Sequence, residues 1–118
     1  MAAHIEKAKD LGNALGRTDE YQAVKRSITA ADEDRELATL RVELEGLETK
    51  LEASLRAGLE PDAETGAAYE AAVGRLQANS TYQRLVAAQT NFDKLMAKVN
   101  QAIAQGMEEG GSSRIILA

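Results

Sequence analysis

The chain has 118 residues, with 14 Lys and Arg against 19 Asp and Glu, one Pro, 3% aromatic residues and no Cys. Its length sets the expectation of one domain with a modest core, and its richness in Ala, Leu, Glu, Lys, Arg and Gln that of an all-helical one. The missing thiols exclude disulfides, cysteine nucleophiles and thiolate-held metals or clusters within the chain, and a net charge of -5 with scattered basic residues argues against a dedicated nucleic-acid grip.

Ile5, Ala8, Leu11 or Gly12, and Leu15 recur at helical spacing and stop at Gly16, predicting a short first helix. Thr18 can cap a second, with Asp19 and Glu20 at its positive end and Tyr21, Val24 and Ile28 as its apolar stripe, fading near Ala31. A third begins in the acidic run DEDRE, with Asp32 placed as its cap and Glu33, Asp34 and Glu36 in its first turn. Leu37, Leu40, Leu44, Leu47 and Leu51 then alternate spacings of three and four, filling the a and d positions of a heptad. Glu36, Glu43 and Lys50 fall at g, Arg41 and Glu48 at e, and Glu52 precedes Arg56 in the favourable order for an ion pair. That pattern belongs to a helix packed lengthwise against another.

Gly58 and Pro61 mark a tight reversal, and Pro61 suits the first turn of a fourth helix carrying Tyr69, Ala72, Val73 and Leu76. At Asn79 and Ser80 the pattern breaks, Asn tolerating a left-handed helix end and Ser capping the restart, and a fifth helix is predicted to run to about Gln105. Leu85, Phe92, Leu95, Met96, Val99 and Ile103 give it a face wider than a two-position seam, as for a helix with more than one neighbour. Residues 106–118, rich in Gly and Ser before Arg114 to Leu117, read as a flexible tail that folds over the bundle end, stays disordered, or docks on another subunit.

The expected fold is therefore all-α, about five helices in an elongated bundle with a long antiparallel hairpin over about residues 32–105 of a single domain at 1–105. Val42, Leu55 and Leu59 lie off the seam, and a thin hairpin with few aromatics buries little against its ordering cost. A homodimer or higher oligomer is the expected remedy. Its packing or partner interface is placed on the two apolar faces, Leu37 to Leu51 of the third helix and Leu85 to Ile103 of the fifth. The charged start MAAHIEKAKDL and the absence of a long apolar run predict a soluble cytoplasmic protein without a membrane span.

No residue set predicts catalysis, a cofactor or a metal. Glu45, Glu48 and Glu52 form a carboxylate stripe, but one exposed helix face makes a poor cage for a hard cation, and a charged face opposite an apolar seam is the ordinary arrangement of an amphipathic helix. His4, the single histidine, sits near a chain end expected to fray and has no evident partner for acid–base work. Lys25 and Arg26, with Arg17 nearby, form the densest basic spot, too few charges for firm phosphate binding. Gly46, outward on its helix, reads as a tolerated exposed glycine.

Three segments in order, IEKAKDLGNALGRTDEYQAVKRS at 5–27, ADEDRELATLRVELEGLETKLEASLRAGLEP at 31–61 and LQANSTYQRLVAAQTNFDKLMAKVNQAI at 76–103, resemble the YlbF/YmcA/YheA family of small bacterial helical proteins, its YheA branch above all. The resemblance rests on the Asp-Glu-Tyr restart, the acidic helix start, the Gly-x-x-Pro reversal and the Asn-Ser-x-Tyr restart. It implies an elongated helical fold, commonly oligomeric, with no known reaction, and a role in competence, sporulation and biofilm development through a complex bearing on ribonuclease-dependent mRNA processing. Relatives that bind iron–sulfur clusters do so through cysteines, which this chain lacks. The expected function is a non-catalytic helical adaptor or regulator; the alternatives are an accessory factor touching RNA directly and an enzyme or metal-binding protein. The acidic balance separates the first reading from the second, and the lack of a convergent polar cluster separates it from the third.

Overall fold

In the computed structural model residues 2–117 are described, with side chains through residue 112. They form five helices: α1 Ala3–Gly16, α2 Asp19–Glu33, α3 Arg35–Arg56, α4 Ala63–Ala78 and α5 Ser80–Leu117. No strand occurs among the described residues. The chain divides into two compact units, one of Met1–Val24 with Ala88–Ala118 and one of Lys25–Ala87.

The unit at Lys25–Ala87 is built on a helical hairpin in which α3 packs on α4. The pairs Asp34 with Asn79 and Glu43 with Arg75 nest around the turn, so the two helices run antiparallel. The turn itself needs Gly58, whose φ of 71° lies where a side chain is strained. The Leu59 N–H reaches back to the Ser54 carbonyl at 2.9 Å, closing the end of α3 in the manner of a glycine C-cap. Burial is graded along α3. Leu37 and Leu40 are fully enclosed, at 0% and 2% exposure, whereas Leu44, Leu47 and Leu51 are half-buried. Ala31, Ala72 and Asn79 complete the buried set of this unit, and Asn79 is its single buried polar residue among those described. Among its described residues the other unit buries only Val24 and Ala88. Tyr21 and Phe92 stack there with ring centroids 5.7 Å apart and planes tilted by 60°, a favoured aromatic geometry.

Four helix ends differ from their expected places. The α3 cap is Asp34, not Asp32, because α2 continues through Glu33 and the Asp34 carboxylate accepts the Leu37 N–H at 3.0 Å. Pro61 precedes α4 instead of opening it; Asp62 is the cap and accepts the Glu64 N–H. Asn79, not Ser80, caps α5, and its backbone is extended, not left-handed. The α4–α5 break is complete and spans one residue. His4 lies in the first turn of α1.

The fourth is α5, helical to Leu117 where the glycines were expected to end it near Gln105. Gly106, Gly110 and Gly111 have no positive φ, and helical hydrogen bonds are local, so weak formers lower helix stability without forbidding it. Nothing lies within 4 Å of a Cβ added at any of the three. Gly106→Ala is therefore expected to stabilise the helix by up to about 1 kcal/mol, measurable as added ellipticity and a higher melting temperature. A decrease in either would contradict the helical assignment there. The side chains of Arg114, Ile115, Ile116 and Leu117, on which the docking expectation falls, lie outside the described residues.

Candidate functional site

The polar centre of the Lys25–Ala87 unit joins two helix starts. Asp34 Oδ1 accepts the Leu37 N–H that begins α3, and Asn79 Oδ1 accepts the Tyr82 N–H that begins α5, at 2.8 Å. The Asn79 carboxamide donates its Nδ2 hydrogen to Asp34 Oδ2 at 3.4 Å. Each side chain thus satisfies an otherwise orphaned donor and is itself held by the other. The Leu37 N–H, followed by the Thr81 hydroxyl, holds the Asp34 carboxyl below its ordinary value of 3.8; partial burial opposes this, and Asn79 and the Glu36 N–H add to the lowering.

A carboxyl whose pKa is depressed by folding contributes stability above its unfolded pKa and loses it as pH falls through the folded value. Acidification below about pH 4 is therefore expected to lower the melting temperature of the wild type more steeply than that of Asp34→Asn, which retains a capping oxygen. Equal slopes in a thermal melt series would show that Asp34 carries no such linkage.

This node was not foreseen in the sequence, which placed the α3 cap two residues early and read Asn79 as a left-handed helix end with Ser80 as the next cap. Its signal was the shared spacing of Asp34 to Leu37 and Asn79 to Tyr82, a short polar side chain three residues before the donor it caps.

Outside the node, the described side chains offer helix faces. Arg75 Nη2 donates to Glu43 Oε1 at 2.8 Å across the hairpin, a contact open to solvent and worth at most about 1 kcal/mol. Glu52 and Arg56 come together as the spacing predicted, at 4.0 Å and exposed. Glu45, Glu48 and Glu52 remain on the exposed side of α3, and no group of three or more His, Asp or Glu among the described residues is placed to hold a metal ion. His4, Lys25 and Arg26 are exposed.

The two expected apolar faces fare differently. On α3 the seam is dry at Leu37 and Leu40 and opens through Leu44, Leu47 and Leu51; on α5 Leu85, Phe92, Leu95, Met96 and Val99 are half-buried and Ile103 is exposed. Off the seam, Val42, Leu55 and Leu59 are 71%, 77% and 66% exposed, and Met107 on α5 is 68% exposed. Ala38, Thr39, Val42 and Glu43, one face of α3, line an open recess of about 570 Å³. An open recess with one carboxylate and no convergent donors holds no reacting group in place; it offers apolar contact with a charged edge. No described helix is long and apolar enough to cross a membrane.

The described side chains thus present an all-helical chain of amphipathic faces around a capped hairpin. Residues 4–108 match the family described as control of competence regulator ComK, YlbF/YmcA, and the chain belongs to that family. The description is a regulatory one. A search of curated proteins returned no match.

Proposed function

We propose that the chain is a non-catalytic helical adaptor of the YheA-like branch, acting in the bacterial cytoplasm by protein–protein assembly, with a second copy of itself as its first partner. The observation that carries this reading is the imbalance between core and surface. Among the described residues only six apolar side chains are buried, three of them alanines, while Val42, Leu55, Leu59 and Met107 are each about two-thirds or more exposed. Apolar surface left in water forgoes about 25 cal/mol per Å² that a partner's face could recover. Leu44, Leu47 and Leu51, half-buried, extend the dry seam toward the exposed Leu55 and supply the edge of such an interface. Through the family, the assembly acts in regulation of the competence regulator ComK or in the ribonuclease-dependent mRNA processing linked to developmental control.

The test is assembly state. Val42→Glu with Leu55→Glu replaces two exposed side chains and is expected to leave helical ellipticity intact while shifting the particle in multi-angle light scattering from an oligomer to a single chain. An unchanged oligomer in the double variant would move the interface off these two side chains. RNA contact is the competing reading; salt-sensitive retardation of labelled RNA by submicromolar protein would favour it.

A further inference from the structure

Two of the helix joints, α1–α2 and α4–α5, repeat one another. At the α1–α2 joint the Thr18 N–H donates to the Leu15 carbonyl, Thr18 Oγ1 accepts the Tyr21 N–H, and the Gln22 N–H donates to the Thr18 carbonyl. At the α4–α5 joint Asn79, Leu76, Tyr82 and Gln83 reproduce all three bonds, so Leu-x-x-Thr-x-x-Tyr-Gln and Leu-x-x-Asn-x-x-Tyr-Gln are two copies of one device. A fourth bond completes it. Gln22 Nε2 donates to the Gly16 carbonyl at 2.8 Å and Gln83 Nε2 to the Gln77 carbonyl at 2.7 Å, each six residues back across the break. Those carbonyls belong to the last turn of the preceding helix, where the backbone supplies no partner. The glutamine amide takes the place of the missing backbone donor and splices the two helices.

The α2–α3 joint has the same cap without the splice. The Asp34 N–H donates to the Ala31 carbonyl, Asp34 Oδ1 accepts the Leu37 N–H, and the Ala38 N–H donates to the Asp34 carbonyl. Ala38 stands where the other joints have glutamine, and no described hydrogen bond reaches the Asp32 carbonyl across this break. What holds this joint from outside is the Asp34 carboxylate, which meets the Asn79 amide at 3.4 Å, longer than either splice, and the Thr81 hydroxyl; neither bond reaches a carbonyl across the break. We propose that Gln22 and Gln83 are positioning residues that lock their joints, and that the α2–α3 joint, lacking the glutamine, is the hinge of the fold. Ala38 also lines the recess on α3, so the position that could hold a splice is kept small and clear.

The absence of cysteine allows clean spin labelling of the full chain. Labels at Ala30→Cys and Arg41→Cys report the α2–α3 joint, and labels at Ala71→Cys and Ala87→Cys the α4–α5 joint; all four positions are exposed. Pulsed dipolar spectroscopy is expected to give a broader distance distribution across α2–α3 than across α4–α5. Ala38→Gln should narrow the first. Gln83→Glu, which has no amide to donate, should broaden the second, whereas Gln83→Lys, which keeps a donor, should not. The helix dipole works against this order, since it favours Glu over Lys near a helix start, so an effect of charge on the helix alone gives the opposite result. Equal widths at the two joints in the wild type, an unchanged width in Ala38→Gln, or like behaviour of the two Gln83 variants would overturn the proposal.

Discussion

Replacing Leu37 by alanine is expected to destabilise the folded chain by roughly 2–5 kcal/mol, the range for deleting a fully buried leucine. Leu37 is 0% exposed, and with Leu40 it makes up the whole of the fully buried large side chains described. In a packed interior the surroundings relax only in part, so the cavity left adds to the lost transfer free energy. Leu55→Ala removes the same atoms at a side chain 77% exposed and is expected to change stability by no more than about 0.5 kcal/mol. Urea titrations of the two variants at matched protein concentration separate these outcomes. Similar midpoints would mean that Leu37 and Leu40 are not the core.

The second large effect lies at the polar node. Asn79→Ala removes the oxygen that caps α5 and is expected to cost about 1–2 kcal/mol, the upper part of the range for a cap because Asn79 is also buried and bonded to Asp34. Asn79→Asp is the sharper variant. It keeps a capping oxygen but sets a second carboxylate beside Asp34 Oδ2, where like charges raise the pKa of one of the pair. Destabilisation is then expected at neutral pH and relief as the pH falls toward 5, opposite in sign to the acid response of Asp34 in the wild type. A melting temperature of Asn79→Asp that falls monotonically with acidification would show that the two side chains do not face each other in solution.

The order and number of helices were readable because each begins or ends on a local signal. The stop at Gly16, the Thr18 cap, the Gly58 turn and the break near Asn79 are decided by residues within a turn of the event. The cap positions were displaced where two acidic or polar residues competed within a few positions, as Asp32 with Asp34 and Asn79 with Ser80. There the choice falls to a tertiary partner: Asp34 and Asn79 bond each other across the hairpin, which periodicity cannot register. The leucine seam was legible as a stripe but not as a gradient, because drying at Leu37 and opening toward Leu51 depend on what packs beside each turn. The extent of α5 was underestimated for a different reason. Glycine weakens a helix without ending it unless a left-handed residue or a proline follows, and neither occurs at Gly106 to Gly111.

The joints illustrate the limit from the other side. Tyr-Gln follows both Thr18 and Asn79 at the same spacing, plain in the sequence once the hydrogen bonds are known, yet glutamine is too common on helix surfaces for that spacing to stand out beforehand.

The central claim is that exposed apolar side chains of this chain, Val42 and Leu55 among them, are covered by another copy. Multi-angle light scattering of the wild type at micromolar concentration tests it most directly. The account predicts twice the chain mass or more, reduced to the single-chain mass in Val42→Glu with Leu55→Glu. A wild-type particle of single-chain mass would contradict it.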